Sequence, residues 1–209
     1  IVVIGGHADA GVLSGGGSSQ VIPPEGPAIR VPVAGDGGDL PGGWRNMIFL
    51  RSSPLKALRA ALAGAQVSFV SGDYPKAAAA AARGADLAIV FATQWTTEGE
   101  DVPDLSLPDG QDQLIEAVAA ANPHTVVVLE TGGPVLMPWI GKVPAVLEAW
   151  YPGDRGGEAI ARILTGQVDP SGRLPITFPA DESRLGPIPG AGLPPGSDVA
   201  ADERAIGSD

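Results

Sequence analysis

Apolar positions in this chain come in short solid runs rather than in strict alternation. Ile1-Val2-Val3-Ile4, Val67-Ser68-Phe69-Val70, Leu87-Ala88-Ile89-Val90-Phe91 and Thr125-Val126-Val127-Val128-Leu129 read as strands covered on both faces. A fifth strand is expected within residues 143–150. Leu174-Pro175-Ile176-Thr177-Phe178 reads as a last strand, and Pro175, which has no N–H to give a ladder, confines it to a sheet edge. Between these runs the apolar period becomes helical. Pro54 to Ala63 carries Leu55, Leu58 and Leu62 on one face, with Pro54 in the first turn and Ser53 placed to cap it. Pro75 to Arg83 is an alanine-rich helix ended by Gly84. Gln111 to Ala121 is a helix stopped by Asn122-Pro123, and Gly156 to Leu164 one that ends near Gly166.

Strands alternating with helices predict an α/β fold: a mostly parallel sheet of about six strands with helices on both faces. Ligands of such sheets collect beyond the carboxyl ends of the strands. The loops after the first, third, fourth and fifth strands are therefore expected on one edge. They are a glycine-serine loop near residue 15, an acidic loop near residue 98, Glu130–Pro134 and Tyr151–Arg155.

Proline and glycine set the divisions. Residues 22–54 hold Pro23-Pro24, Gly37-Gly38 and Pro41-Gly42-Gly43, and predict a long surface loop insertion with Trp44 as its packing anchor. From Ala180 onward Pro187, Pro189, Pro194 and Pro195 alternate with Gly186, Gly190, Gly192 and Gly196, which reads as a tail or linker. The domain is thus expected over 1–179 and the tail over 180–209. The chain starts at Ile1, without Met and directly in a strand, and reads as a piece of a longer protein. Any targeting segment would lie upstream, so the compartment stays open.

Composition narrows the function. With 209 residues, 44% of them hydrophobic, the chain can build a sizeable core. Its net charge of −11 comes with no basic stripe, which argues against nucleic acid as a partner. No apolar run approaches the roughly 18 residues of a membrane helix, so no membrane partner is expected. There is no cysteine, and His7 and His124 are too few for a multi-histidine metal site; no cofactor is expected. A glycine-rich loop after a first strand raises dinucleotide binding, but Gly5-Gly6 and Gly15-Gly16-Gly17 do not match G-x-G-x-x-G, and no phosphate-loop lysine follows.

The chemistry concentrates in Glu98-Gly99-Glu100-Asp101-Val102-Pro103-Asp104, at the end of the third strand. Neighbouring carboxylates repel, which tends to raise each one's pKa, and a carboxyl lifted toward neutrality can hand a proton to a leaving group. Charge alone favours a solvated acidic loop; position at a strand end and the resemblance below reverse that preference.

Several pieces in order resemble one family. They are Ile-Gly-Gly-His-Ala-Asp at 4–9 with the Gly-Gly-Gly-Ser-Ser of 15–19, Glu-Gly-Glu-Asp-x-x-Asp-Leu-Ser-Leu-Pro at 98–108, and Gly-Gly-Pro-Val-x-Met-Pro-Trp at 132–139. Ala-Trp-Tyr-Pro-Gly-x-x-Gly-Gly at 149–157 and Pro-Ser-Gly-Arg-Leu-Pro-x-Thr-Phe-Pro at 170–179 complete the set. The chain is similar to the carboxy-terminal α/β sandwich domain of family-3 glycoside hydrolases, the β-glucosidase group. That resemblance implies a preceding barrel domain, absent here, that carries an aspartate nucleophile. It implies a β-linked glucoside or oligosaccharide as substrate, and it puts the acid/base role on Glu98, with Glu100 as second choice. Where relatives often have Asp-Arg this chain has Asp101-Val102, so a basic neighbour of the acid is missing. Ser18 and Ser19 match a segment that borders the leaving-group side of the site; the alternative is a glycine loop required for backbone shape. Trp95 is either a sugar-stacking ring or a core aromatic, and Trp139, Trp150 and Tyr151 read as core or interdomain packing. Residues 199–209 look like an echo of the segment that leads relatives into a further module. On this reading the chain alone holds half an active site and is inactive; the alternative is a non-catalytic carbohydrate-binding or structural sandwich domain.

Overall fold

The computed structural model describes residues 1–33, 46–181 and 183. The Trp44 anchor and nearly all of the tail lie outside the described residues. Eight strands and four helices follow in the order β1 (Val2–Ile4), β2 (Val12–Ser14), β3 (Ile29–Pro32), β4 (Asn46–Leu50), α1 (Pro54–Ala61), β5 (Ser68–Val70), α2 (Pro75–Arg83), β6 (Ala88–Gln94), α3 (Gln111–Ala121), β7 (Thr125–Thr131), β8 (Ala145–Glu148) and α4 (Gly156–Leu164).

Five strands form a parallel sheet in the order β5-β1-β6-β7-β8. Side chains alternate between its faces as the pleat requires. Val2, Ile4, Ala88, Val90, Ala92, Val127 and Leu129 meet Ala78 and Ala82 of α2 and Leu114, Ile115 and Val118 of α3. Val3, Ile89, Phe91 and Val128 meet Leu55 and Leu58 of α1 and Ile160 and Ala161 of α4. Both faces are covered, and this is why the strands show no polar alternation in sequence. Helix α1 starts as expected: Pro54 fills its first turn and the Ser53 hydroxyl accepts the Lys56 N–H at 3.1 Å. Helix α3 is stitched to β6 through Gln111, whose amide oxygen accepts the Thr93 N–H at 2.8 Å while its nitrogen donates to the Thr93 carbonyl at 2.8 Å.

Two expectations need correction. The excursion at 22–54 is not all loop: β3 and β4 pair antiparallel, and β4 also pairs with β2, giving a second three-stranded sheet in the order β2-β4-β3. Ile48 and Leu50 of β4 join the core on the α1–α4 side. Residues 174–178 form no strand. Leu174 and Ile176 are about half exposed, and Phe178 instead packs beneath Trp150, ring centroids 6.0 Å apart. Pro175 removes one ladder donor, and of the apolar residues only Leu174 and Phe178 border the groove beside β8.

Candidate active site

The carboxyl edge of the large sheet gathers the loops after β1, β6, β7 and β8, and the strand β2 delivers the glycine turn to the same place. Glu130 fixes that delivery. It ends the apolar run of β7, is fully buried, and its Oε2 accepts the Leu13 N–H of β2 at 2.7 Å. Its Oε1 has no partner among the described residues. Burial pushes the Glu130 carboxyl up to about 8, helped by the neighbouring Glu148. Glu148 at the end of β8 is itself raised to about 7 by burial, against the pull of the Trp150 N–H that it accepts at 2.8 Å.

Beyond Ser14 the three glycines meet the loop that leaves β6. A Cβ placed on Gly16 would lie 2.5 Å from the Thr97 hydroxyl and 2.7 Å from the Trp95 ring, and one on Gly17 would lie 2.6 Å from the Glu98 Cβ. No real side chain tolerates those separations, so glycine is what lets the two backbones close. The Gly16 N–H then donates to the Thr96 carbonyl at 2.9 Å, and the Ser18 N–H donates to Glu98 Oε2 at 2.8 Å.

Glu98 stands at the tip of a two-residue turn. Thr97 and Glu100 form an isolated antiparallel bridge around it, and Gly99, second of the two turn residues, takes the positive φ of 78° that favours glycine there. The carboxyl is fully exposed and lies against the glycine-serine turn. Its pKa is lowered, not raised as mutual repulsion among the acidic residues predicts. The Ser18 side chain is the larger cause and the Ser18 N–H the second, and little burial opposes them. The hydroxyl and the N–H of Ser18 together outweigh like charges that sit in water, where repulsion is screened.

Ser19 lines a cleft of about 430 Å³ beside the turn, together with Ser14, Gln20, Tyr151 and Asp154. Trp95 is packed edge-on to Gly16, and its indole N–H is buried without a partner among the described residues. Glu100 is exposed and closes the turn opposite Thr97 in the backbone bridge. The geometry thus brings Glu98, Ser18, Ser19 and Trp95 together around Gly15–Ser19. Trp139 is core, as expected: it is fully buried and donates its indole N–H to Asp112 Oδ1 at 2.7 Å.

Three residues at this edge escaped the sequence reading. Glu130 and Glu148 were visible only as acids terminating apolar runs. Tyr151, read as packing, proves to be a hydrogen-bond hub. Its hydroxyl donates to the Gln94 carbonyl at 2.9 Å and accepts the Thr96 N–H at 2.8 Å. A second separation of 2.9 Å links it to the Thr96 hydroxyl.

Comparison with known proteins gives a family for this arrangement. The model of the glycosyl hydrolase family 3 C-terminal domain matches residues 1–200. A β-glucosidase of Rhizobium radiobacter is 62% identical over 86 residues, 41% of this chain and 10% of that protein. β-Glucosidase B of Emericella nidulans is 54% identical over 103 residues, 47% of this chain and 12% of that protein. Among solved structures, DesR, a β-glucosidase from Streptomyces venezuelae in complex with D-glucose, superposes with a TM-score of 0.70 at 27% identity, covering 87% of this chain and 34% of that one. A β-glucosidase of Bifidobacterium adolescentis superposes with a TM-score of 0.67 at 30% identity, covering 88% of this chain and 25% of that one. The matched region is about a tenth of the curated relatives' length.

Proposed function

We propose, on the premise that this chain belongs to the glycosyl hydrolase family 3 C-terminal domain family, that it is the sandwich portion of a longer retaining β-glycosidase and that Glu98 is the acid/base carboxyl. One observation carries the assignment: Glu98 sits at a turn tip on the carboxyl edge of the parallel sheet, and two consecutive residues of the glycine-serine turn approach it, Gly17 in contact and Ser18 donating to its oxygen.

Retention needs two carboxyl groups roughly 5–5.5 Å apart. The first, an aspartate of the absent barrel by family resemblance, attacks the anomeric carbon. Glu98 gives its proton to the departing glycosidic oxygen as that bond breaks, and a covalent glycosyl-enzyme forms. Glu98, now a carboxylate, takes a proton from water; the water oxygen bonds to the anomeric carbon and the aspartate leaves.

The lowered pKa suits the second half of this cycle, because Ser18 stabilises the charged form that acts as base. The first half needs a protonated Glu98 near neutral pH. Covering the turn with sugar and barrel removes water from the carboxyl and brings a second carboxylate close, and both changes raise its pKa. Once the nucleophile is esterified its charge is gone, and Glu98 falls back toward its resting value. The substrate class is a terminal β-linked glucoside or oligosaccharide, with Ser18, Ser19 and Trp95 bordering the leaving-group side. Glu100 is the second choice for the acid/base role, since the contacts with Gly17 and Ser18 are made by Glu98. The chain by itself, lacking the nucleophile, is inactive.

The test uses the full-length glycosidase. Glu98→Ala should lose most of kcat on an activated aryl β-glucoside, whose bond still breaks but whose glycosyl-enzyme then waits for unassisted water, and added azide should restore kcat with a β-glucosyl azide as product. Full activity of Glu98→Ala, or loss without azide rescue, assigns the domain a binding or structural role instead. Turnover of the same glucoside by the 209-residue chain alone would overturn the half-site reading.

A further inference from the structure

Tyr151 reaches the acid loop from two strands away. The sheet order at this end is β6-β7-β8, so a residue following β8 must cross β7 to touch the end of β6, a distance of about 10 Å at two strand spacings. The backbone turns to allow it. Trp150 takes a positive φ of 53°, held there by its N–H on Glu148 Oε1 at 2.8 Å, and Tyr151 is thrown back across the sheet edge.

The path of the ring has been cleared. A Cβ on Gly132, in the loop after β7, would lie 2.7 Å from the Tyr151 hydroxyl and 2.1 Å from the Thr96 hydroxyl. One on Gly15 would lie 2.6 Å from the Tyr151 ring. Tyr151 therefore passes over Gly132 and under Gly15 to end on the two residues that begin the acid loop.

Its hydrogen bonds are fully determined. A phenol has one proton, and that proton goes to the Gln94 carbonyl at 2.9 Å. The Thr96 N–H is a donor at 2.8 Å, so the Thr96 hydroxyl, 2.9 Å away, must donate as well. Three bonds hold Gln94 and Thr96 in one geometry. Thr96 in turn holds the glycine turn, its carbonyl accepting the Gly16 N–H at 2.9 Å. Glu98 follows two residues later.

We infer that Tyr151 is a positioning residue for the acid/base carboxyl: its hydroxyl fixes the root of the Glu98 loop and sets where the carboxyl stands relative to the scissile bond. This rests on the assignment of Glu98 above. The Tyr151 proton is committed to the Gln94 carbonyl, so the role is one of placement and not of proton transfer. Its loss acts through misplacement, for which a shift near 1 Å costs up to about 100-fold.

Tyr151→Phe in the full-length enzyme keeps the ring that fills the space between Gly15 and Gly132 and removes only the hydroxyl. The measurement is kcat/KM for two β-glucosides, one with an alkyl leaving group and one with 2,4-dinitrophenol. The alkyl glucoside needs a proton on its departing oxygen and should lose about 10- to 100-fold. The dinitrophenyl glucoside needs none and should stay within about twofold. Equal losses on both, or no loss on either, would overturn the inference.

Thr96→Val, which deletes one of the three bonds, should show the same bias to a smaller degree, and it supplies the answer if Tyr151→Phe does not fold. Glu98→Ala run in parallel separates the two claims. If it shows the leaving-group bias and Tyr151→Phe does not, only the positioning role fails. If it shows none, the acid/base assignment itself has failed. In a Glu98→Ala background, adding Tyr151→Phe should cost nothing further on the alkyl glucoside; a full additional loss would mean that Tyr151 acts independently of Glu98.

Discussion

Glu98 Oε2 and the Ser18 N–H meet at 2.8 Å across 80 positions of sequence, and this bond ties the acidic loop after β6 to the glycine turn after β2. The bond favours the charged carboxyl, so it is present above the ordinary carboxyl range and is lost as pH falls through the lowered value. Ser18→Ala removes the hydroxyl, the largest single cause of the lowering, and leaves the backbone donor. In the 209-residue chain the Glu98 carboxyl, followed by NMR, should then titrate higher than in the unchanged chain but still below a free glutamate. An unmoved titration would mean that the Ser18 hydroxyl does not reach the carboxyl in solution.

Glu130 and Glu148 give the opposite sign. Burial raises them to about 8 and about 7 from an ordinary value of 4.5. Between 4.5 and those values the folded chain keeps protons that the unfolded chain has released. Stability should therefore be highest at acid pH and fall as pH rises through this window, by up to ~1.4 kcal/mol per pH unit for each group. Glu130→Gln keeps an oxygen for the Leu13 N–H and carries no titration. Urea midpoints taken from pH 5 to pH 9 should fall less steeply for Glu130→Gln than for the unchanged chain. Identical slopes would show that Glu130 does not retain its proton.

Gly15 and Gly132 frame the Tyr151 ring. Alanine at either one collides with that ring or with the Thr96 hydroxyl, and should destabilise the chain by ~1–3 kcal/mol. Gly64 faces open space, so Gly64→Ala serves as the control and should shift stability by under ~1 kcal/mol. Thermal melting of the three variants reads this directly; equal melting temperatures would contradict the close packing around Tyr151.

The large sheet was legible because its strands are buried on both faces, which leaves solid apolar runs at Val2–Ile4, Ala88–Phe91 and Thr125–Leu129. The helices were legible from Ser53, Pro54, Gly84 and Asn122, each of which starts or stops a helix for a local reason. The small sheet was not. Its strand β3 has an alternating half-exposed pattern and sits in a stretch dominated by proline and glycine, and its pairing with β4 is long-range. Leu174–Phe178 misled for the converse reason: five residues with strand composition join no ladder, and Phe178 packs against Trp150 instead.

Around the candidate site the pattern is similar. Glu98 stood out by motif, and Gly15–Ser19 stood out as a run that nothing else explained. The role of Tyr151 was invisible because it depends on the neighbour order β6-β7-β8, which no local stretch encodes. The sign of the Glu98 shift was also invisible, because it is set by Ser18, distant in sequence, and not by the acids beside it.

The acid/base role of Glu98 is tested most directly by kcat/KM for a series of aryl β-glucosides of increasing leaving-group pKa, measured for the full-length enzyme and for Glu98→Ala. If Glu98 protonates the departing oxygen, the two enzymes should be nearly equal on the best leaving group and diverge steadily, by about 100-fold or more on the poorest. Parallel lines, with Glu98→Ala displaced equally for every leaving group, would contradict that role.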